Sequence, residues 1–381
     1  MPKAIVLGAG MMGSVIADDL SRDERFTVSI ADLRQDALDD AARRAAGRVT
    51  PIRADLADPK SLARAIEPFD IVLGALSSHI GHQTLRTVIE ARKSCCDISF
   101  MPETPLDLDD AAAAAGVTAV VDCGVAPGMS NLLAGSGAAR LDQCRSIEIY
   151  VGGLPMQRRW PFDYKAAFSP RDVIEEYTRP ARIVENSEII IREALSEPQL
   201  IDFPAIGTLE AFNTDGLRSL AHTLDAPFMK EKTLRYPGHI ELMRVFRHTG
   251  LFSSEPVTIG DATVRPIDLT ARLMFPLWSY DAGEPDLTVM RVIVEGTADD
   301  RPTRLTWDLH DEFDPETRTT SMARTTAFPC AILARLVADG TITTRGVVPP
   351  ERLGPLPGVT DRVLRELAAR DVHYRHSVDH P

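Results

Sequence analysis

The first thirteen residues constrain the fold more than any other stretch. Gly8-Ala9-Gly10-Met11-Met12-Gly13 is a G-x-G-x-x-G run, directly behind the apolar segment Lys3–Leu7 and ahead of a helical stretch from Ser14 to Leu20. The glycine pattern alone is weak, but strand before and helix after make it the opening of a dinucleotide-binding βαβ unit. Gly8 permits the tight turn, Gly10 lets the backbone approach a pyrophosphate, and Gly13 lets the helix pack close to the strand. The phosphates then lie at a helix N-terminus, where free N–H groups and the helix dipole favour anions.

The elements that follow keep the alternation. Strands are expected at Thr27–Ala31, about Val49–Ala54, at Asp70–Leu76, at Cys95–Ile98 and at Thr118–Val121, with helical stretches at Gln35–Ala46, Ser61–Ile66, Thr84–Lys93 and Leu106–Ala115 between them. Short apolar strands alternating with helices predict a doubly wound parallel sheet, a Rossmann domain covered on both faces. After Pro127-Gly128 the texture changes to Gly152-Gly153-Leu154-Pro155, a run of aromatics from Trp160 to Tyr177, and alternating segments such as Leu287–Val294. These predict a second α/β domain with a mixed sheet. The expected division is 1–125 as the dinucleotide-binding domain and 126–325 as the substrate and dimerisation domain, with 326–381 returning to the first.

Composition excludes several partners. Lys plus Arg is 42 and Asp plus Glu is 55, a net charge of −13, which argues against nucleic acid and anionic membrane. No apolar run approaches the ~18–20 residues of a membrane helix. Met1-Pro2-Lys3-Ala4 runs into a strand with no signal-peptide layout, and the five cysteines lack metal-ligand spacing, so a cytoplasmic protein with reduced thiols and no metal is expected. His79 and His82, and the tail histidines His373, His376 and His380, have no convincing ligand set beside them.

Asp32 closes the second strand, where a carboxylate can accept from the ribose 2′-hydroxyl and repel a 2′-phosphate. It favours NAD over NADP, and Arg34 is the counter-signal. Ligands of such sheets bind at the carboxyl ends of the strands. The remaining cofactor candidates are therefore Met11 and Met12 in the fingerprint, Asp55, Leu76 and Ser77, Asp97 and Ile98, and Gly124, Val125 and Pro127.

Five segments occur in order: Asp97-Ile98-Ser99-Phe100-Met101-Pro102-Glu103, Cys123–Asn131, Gly152–Pro155, Glu210-Ala211-Phe212-Asn213-Thr214-Asp215-Gly216 and Lys232-Thr233-Leu234-Arg235-Tyr236-Pro237-Gly238-His239. Together they resemble the saccharopine dehydrogenase-like family over essentially the whole chain, and most closely its lysine 6-dehydrogenase branch. The resemblance implies an N-terminal Rossmann domain, a central α/β domain carrying the substrate pocket and often the dimer contact, and a returning C-terminal segment. Saccharopine reductases carry a tyrosine near Phe100, an aspartate near Ala126 and a cysteine near Val151. Their absence favours a smaller amine substrate, because unpaired polar groups dominate discrimination. L-Lysine is the substrate implied, acted on by a homodimer or larger homo-oligomer.

Oxidative deamination of a primary amine requires loss of the ammonium proton, a C–H held against nicotinamide C4, and water addition to the imine with acid–base help. His239, at an expected helix start that lowers its pKa, is the first candidate for proton traffic; its other reading is a helix-end histidine without chemistry. Asp97 either holds the nicotinamide ribose or handles a proton, or caps its loop. Glu103 is a second base, an anchor for an α-ammonium, or a surface carboxylate. Arg235, beside Tyr236, grips a substrate carboxylate or forms an internal salt bridge. A saccharopine-type reductase is the alternative within the class, and a non-catalytic NAD-binding sensor lies outside it.

Overall fold

The computed structural model describes residues 1–204, 206–281 and 283–381. In chain order the first elements are β1 (Lys3–Leu7), α1 (Met11–Ser21), β2 (Thr27–Asp32), α2 (Gln35–Arg44), β3 (Val49–Arg53), α3 (Pro59–Ile66), β4 (Ile71–Gly74), α4 (Ser78–Glu90), β5 (Ser94–Asp97), α5 (Asp109–Ala115), β6 (Thr118–Val120) and α6 (Met129–Ala138). Then come β7 (Gln143–Pro155), α7 (Pro170–Thr178), β8 (Ala181–Glu185), β9 (Glu188–Arg192), β10 (Gln199–Phe203), β11 (Gly207–Asn213), α8 (Leu220–Thr223), β12 (Phe228–Arg235) and α9 (His239–His248). The chain ends with β13 (Val257–Ile259), β14 (Ala262–Val264), α10 (Pro266–Trp278), β15 (Asp286–Ala298), β16 (Arg301–Glu312), α11 (Ser321–Ala338), β17 (Gly346–Val348), α12 (Pro350–Leu353), α13 (Val359–Ala368) and β18 (Tyr374–Asp379).

Two compact units result: Met1–Arg140 with His222–Leu224 and Ala323–His373, and Leu141–Ala221 with Asp225–Met322 and Tyr374–Pro381. In the first, seven strands are ordered β17-β6-β5-β4-β1-β2-β3, every pairing parallel. β1 and β4 are buried along nearly their whole length, as strands covered on both faces must be. The strand order reverses between β1 and β4, which brings the loops after these two strands side by side. The topology is that of a doubly wound α/β sheet, as the spacing of the motifs predicts.

The second unit is built on a nine-stranded mixed sheet, with β10-β11-β12-β7-β15-β16-β18 in sequence and β8 and β9 attached through β12. β12 and β7 run parallel, and the other pairings are antiparallel. β16 buries Thr303, Leu305, Trp307, Leu309 and Asp311 in alternation, the period-two pattern of a strand with one covered face. A core of Phe162, Tyr164, Tyr177, Phe212, Ile240, Met243 and Trp278 joins α7, α9 and α10 to this sheet.

Three boundaries differ from the sequence reading. α6, beyond residue 125, belongs to the first unit because Asn131 bonds Glu351 at 3.3 Å and Gly135 lies against the backbone of the same residue. α4 begins at Ser78, earlier than Thr84, because Gly81 lets it pack closely on Ser99. The last residues do not return to the first unit. β18 pairs with β16, and the His376 ring stacks on Trp307 with centroids 4.4 Å apart. The segment that does return is tied down by charge. Asp19 on α1, almost fully buried, pairs with Arg335 of α11 at 2.7 Å and with Arg370, just past α13, at 2.6 Å. Removing one member of a buried ion cluster leaves uncompensated charge at a cost of about 3–5 kcal/mol. Asp19→Ala is therefore expected to lower unfolding stability by that amount, measured by denaturant titration of the intact chain.

Candidate functional site

The cofactor candidates gather on one edge of the parallel sheet, because parallel strands end on the same side. Gly8 adopts φ +96°, and a Cβ there would come within 2.5 Å of the Ala75 carbonyl oxygen. A Cβ at Gly13 would overlap the Gly8 carbonyl oxygen, so only glycine lets α1 start this close to β1. A Cβ at Gly10, by contrast, would meet nothing within 4 Å. Room at the helix N-terminus and exclusion behind it is the arrangement a pyrophosphate needs, so these residues fit a nicotinamide dinucleotide.

Asp32 is fixed from two sides. Ala9 N–H donates to its Oδ2 at 2.7 Å and Arg34 N–H donates to its Oδ1 at 2.9 Å, while the Arg34 guanidinium lies 3.9 Å away and mostly exposed. Asp55 and Ser77 are exposed after β3 and β4, and Leu76 is half-buried. Ile98 N–H donates to the Gly74 carbonyl, and Gly124 and Val125 are buried beside Pro127. Met11 is exposed at the start of α1 and Met12 partly so.

Asp97 ends β5 and is buried, with its Oδ1 accepting from Ser99 N–H at 2.7 Å and its Oδ2 in the space that a side chain at Gly74 would take. Burial pushes its carboxyl up to about 6, against the lowering effect of the Ser99 bonds. Glu103, the other acidic candidate of this unit, is exposed. Among the described residues no group of His, Cys, Asp and Glu is arranged to hold a metal ion, and no helix is long and apolar enough to cross a membrane.

In the second unit the three candidates, Arg235, Tyr236 and His239, are all engaged internally, which is the structural alternative open for Arg235 and His239. Arg235 is 2% exposed and spends its guanidinium internally: Nη2 on Glu176 at 2.6 Å, Nε on the Tyr177 hydroxyl at 3.1 Å and Nη1 on the Leu234 carbonyl at 2.9 Å. Its Cζ lies 4.4 Å from the centre of the Tyr164 ring. This is the internal pair, not an open fork. His239 opens α9 but is also buried, with Nδ1 2.8 Å from the Phe162 carbonyl and Nε2 3.0 Å from the Tyr177 hydroxyl. A carbonyl only accepts, so Nδ1 carries the proton and Nε2 accepts from Tyr177. The imidazole then has no lone pair left for a substrate proton. Burial, aided by the Arg235 charge, pushes its pKa down to about 3. The direction matches the sequence reading, but the cause is burial and not the helix dipole. Tyr236 donates to the Pro155 carbonyl at 3.0 Å, and Arg158 lies over its ring.

Sequence reasoning missed the residues that organise this network: Tyr164, Glu176 and Tyr177, together with the buried pair Lys165 and Glu284. The available signal was the aromatic run from Trp160 to Tyr177, in which charged residues are interleaved. Periodicity alone could not find it, because Trp160 in the same run is 91% exposed.

Two outcomes follow from these environments. A carboxyl raised from about 3.8 to about 6 costs the fold stability as pH rises through that window, and the full cost persists above it. Asp97→Asn should match the natural protein near pH 4 and exceed it by roughly 3 kcal/mol above pH 7, read from unfolding titrations at both values. Arg235→Met strands Glu176 as a buried carboxylate, so it should lower stability by about 3–5 kcal/mol even without any ligand. A normal unfolding midpoint with a raised KM alone would return Arg235 to substrate binding.

Comparison with known proteins agrees with this architecture. Residues 124–372 match the Saccharopine dehydrogenase C-terminal domain and residues 4–120 the Saccharopine dehydrogenase NADP binding domain. The chain is 22% identical over 438 residues to a saccharopine dehydrogenase [NADP(+), L-glutamate-forming] of Schizosaccharomyces pombe, covering 93% of this chain and 96% of that protein. It is 24% identical over 389 residues to an alpha-aminoadipic semialdehyde synthase of Arabidopsis thaliana, of whose length it spans 36%. The fold superposes on apo saccharopine dehydrogenase (L-Glu forming) from Saccharomyces cerevisiae with a TM-score of 0.81 at 19% identity, over 100% of both chains. With both family domains matched in order across residues 4–120 and 124–372, the chain belongs to the saccharopine dehydrogenase family.

Proposed function

We propose that the protein catalyses NAD-dependent oxidative deamination of the terminal amine of L-lysine, giving the 6-semialdehyde, ammonia and NADH. The observation that carries the cofactor choice is Asp32. Its carboxylate is held at the end of β2 by the fingerprint's own Ala9 N–H, where it can accept from a ribose 2′-hydroxyl and repels a 2′-phosphate. The nicotinamide supplies the hydride acceptor. The protein's part is placement and proton traffic. Asp97, with a carboxyl poised near neutrality at the carboxyl edge of the sheet, suits the proton role better than neutral, doubly bonded His239 or exposed Glu103. The substrate is inferred from Phe100, Ala126 and Val151, near which saccharopine reductases carry a tyrosine, an aspartate and a cysteine for their larger amino-acid conjugate.

A second reading is favoured by one contact. Arg34 lies 3.9 Å from Asp32, close enough to meet a 2′-phosphate, and the fungal relatives are named for NADP(+) and saccharopine. An NADP-linked, saccharopine-type reaction is that reading. One assay separates the two: absorbance of reduced nicotinamide with L-lysine or L-saccharopine, each with NAD and NADP. The first reading predicts turnover of lysine with NAD and release of ammonia, and a narrower NAD preference in Asp32→Ser. Faster turnover of saccharopine with NADP would replace it with the second.

A further inference from the structure

The second unit holds a charged pair that neither the cofactor nor the Arg235 network explains. Lys165 is 7% exposed, and its ammonium donates to Glu284 Oε2. Asp281 N–H donates to the same carboxylate oxygen at 2.9 Å. The other oxygen, Oε1, is buried and accepts no hydrogen bond among the described residues; Arg159 Nη2 lies 4.0 Å from it. The Lys165 ammonium also lies 5.7 Å from the centre of the Tyr280 ring. The Tyr280 hydroxyl is itself buried without a partner among the described residues. Burial, with Asp286 and Glu284 close by, pushes this phenol well above its ordinary range, so it stays a donor.

Buried polar groups nearly always find partners, and those that do not call for a water or a ligand. Here the orphans have a definite polarity. Glu284 Oε1 is an anionic acceptor, Tyr280 is a neutral donor, and Lys165 is a cation with three N–H donors, of which one is satisfied among the described residues. The pair is neutral overall, so a dianion or a bare amine would leave one charge unmatched. A group carrying one ammonium and one carboxylate side by side would match both.

We propose that Lys165, Glu284 and Tyr280 form the head-group site for an α-amino acid zwitterion, with Lys165 and Tyr280 donating to the carboxylate and Glu284 Oε1 accepting from the α-ammonium. The assignment rests on the amino-acid oxidoreductase reading above and names the part of the substrate that remote binding holds. It also supplies the carboxylate anchor that Arg235, committed to Glu176, does not provide.

The test is isothermal titration of the intact chain with L-lysine, L-glutamate and L-saccharopine, then with two analogues of whichever binds. For L-lysine these are cadaverine, which lacks the carboxylate, and 6-aminohexanoate, which lacks the α-ammonium. The natural protein should bind the parent at least about tenfold more tightly than either analogue, as expected for charge-assisted hydrogen bonds. Lys165→Met should erase the penalty for losing the carboxylate but not that for losing the ammonium, and Glu284→Gln should do the reverse. Tyr280→Phe removes one oxygen, and carries the test should Lys165→Met fail to fold. It should weaken the parent several-fold while leaving the thermal midpoint unchanged or higher, because an unsatisfied hydroxyl is lost. Unchanged discrimination in the charge variants overturns the site, as does a Tyr280→Phe protein with a lower midpoint and unaltered affinity. If no amino acid binds the natural protein, the site falls as well. Should L-glutamate or L-saccharopine show the signature instead of L-lysine, the head-group site stands and the lysine reading fails. Should lysine be oxidised while the variants discriminate normally, the reading stands and the site fails.

Discussion

The close approach of α1 to β1 is the constraint on which the first unit depends. Any side chain at position 13 would overlap the Gly8 carbonyl oxygen, and one at position 8 would crowd the Ala75 carbonyl. Because these glycines admit backbone and nothing else, α1 begins at Met11 close against β1, while a side chain at Gly10 would meet nothing within 4 Å. The same packing sets the loop after β1 beside the loop after β4, at the point where the strand order turns. Asp32 is drawn into this arrangement by Ala9 N–H, so the carboxylate at the end of β2 is positioned by the glycine-rich loop itself.

The second unit is organised by charge kept away from water. Arg235, Glu176, Tyr177 and His239 form a continuous run of hydrogen bonds ending on the Phe162 carbonyl, and each member satisfies the next. Such a network is worth its cost only when complete, because a single missing partner leaves a desolvated polar group. It ties β12 to α7 and α9 and holds the aromatic core of Tyr164, Tyr177 and Trp278 in one arrangement. The pair Lys165 and Glu284 differs in kind, since one carboxylate oxygen and the neighbouring Tyr280 hydroxyl have no partner among the described residues. A satisfied network stiffens a domain; an unsatisfied one has capacity left for something else.

This contrast divides labour among residues that look alike in sequence. Arg235 and Lys165 are both buried cations among aromatic residues, yet the Arg235 guanidinium is spent on Glu176, Tyr177 and the Leu234 carbonyl, whereas Lys165 bonds Glu284, whose Oε1 accepts no hydrogen bond among the described residues. Asp97 and Glu103 lie six positions apart on one loop-bearing segment, yet burial raises the first while the second is exposed to water. In each case environment, not residue type, separates the chemical candidate from the structural one.

The glycine spacing, the unbroken apolar strands and the placement of Asp32 determined the first unit by sequence alone. Those features act through local backbone geometry and through a period that neighbouring residues share. The change of texture after Gly128 likewise announced a second domain. What only tertiary structure decided is which polar side chains meet. Glu176 reaches Arg235 across 59 positions, and Glu284 reaches Lys165 across 119. No periodicity links residues so far apart, and their protonation follows from the burial that packing imposes. The assignment of β18 to the second sheet is of the same kind: its polar residues carry no core signal, and pairing with β16 gives them their place. His239 shows the limit most plainly, because sequence could put it at a helix start but could not aim its ring, and the ring is aimed inward.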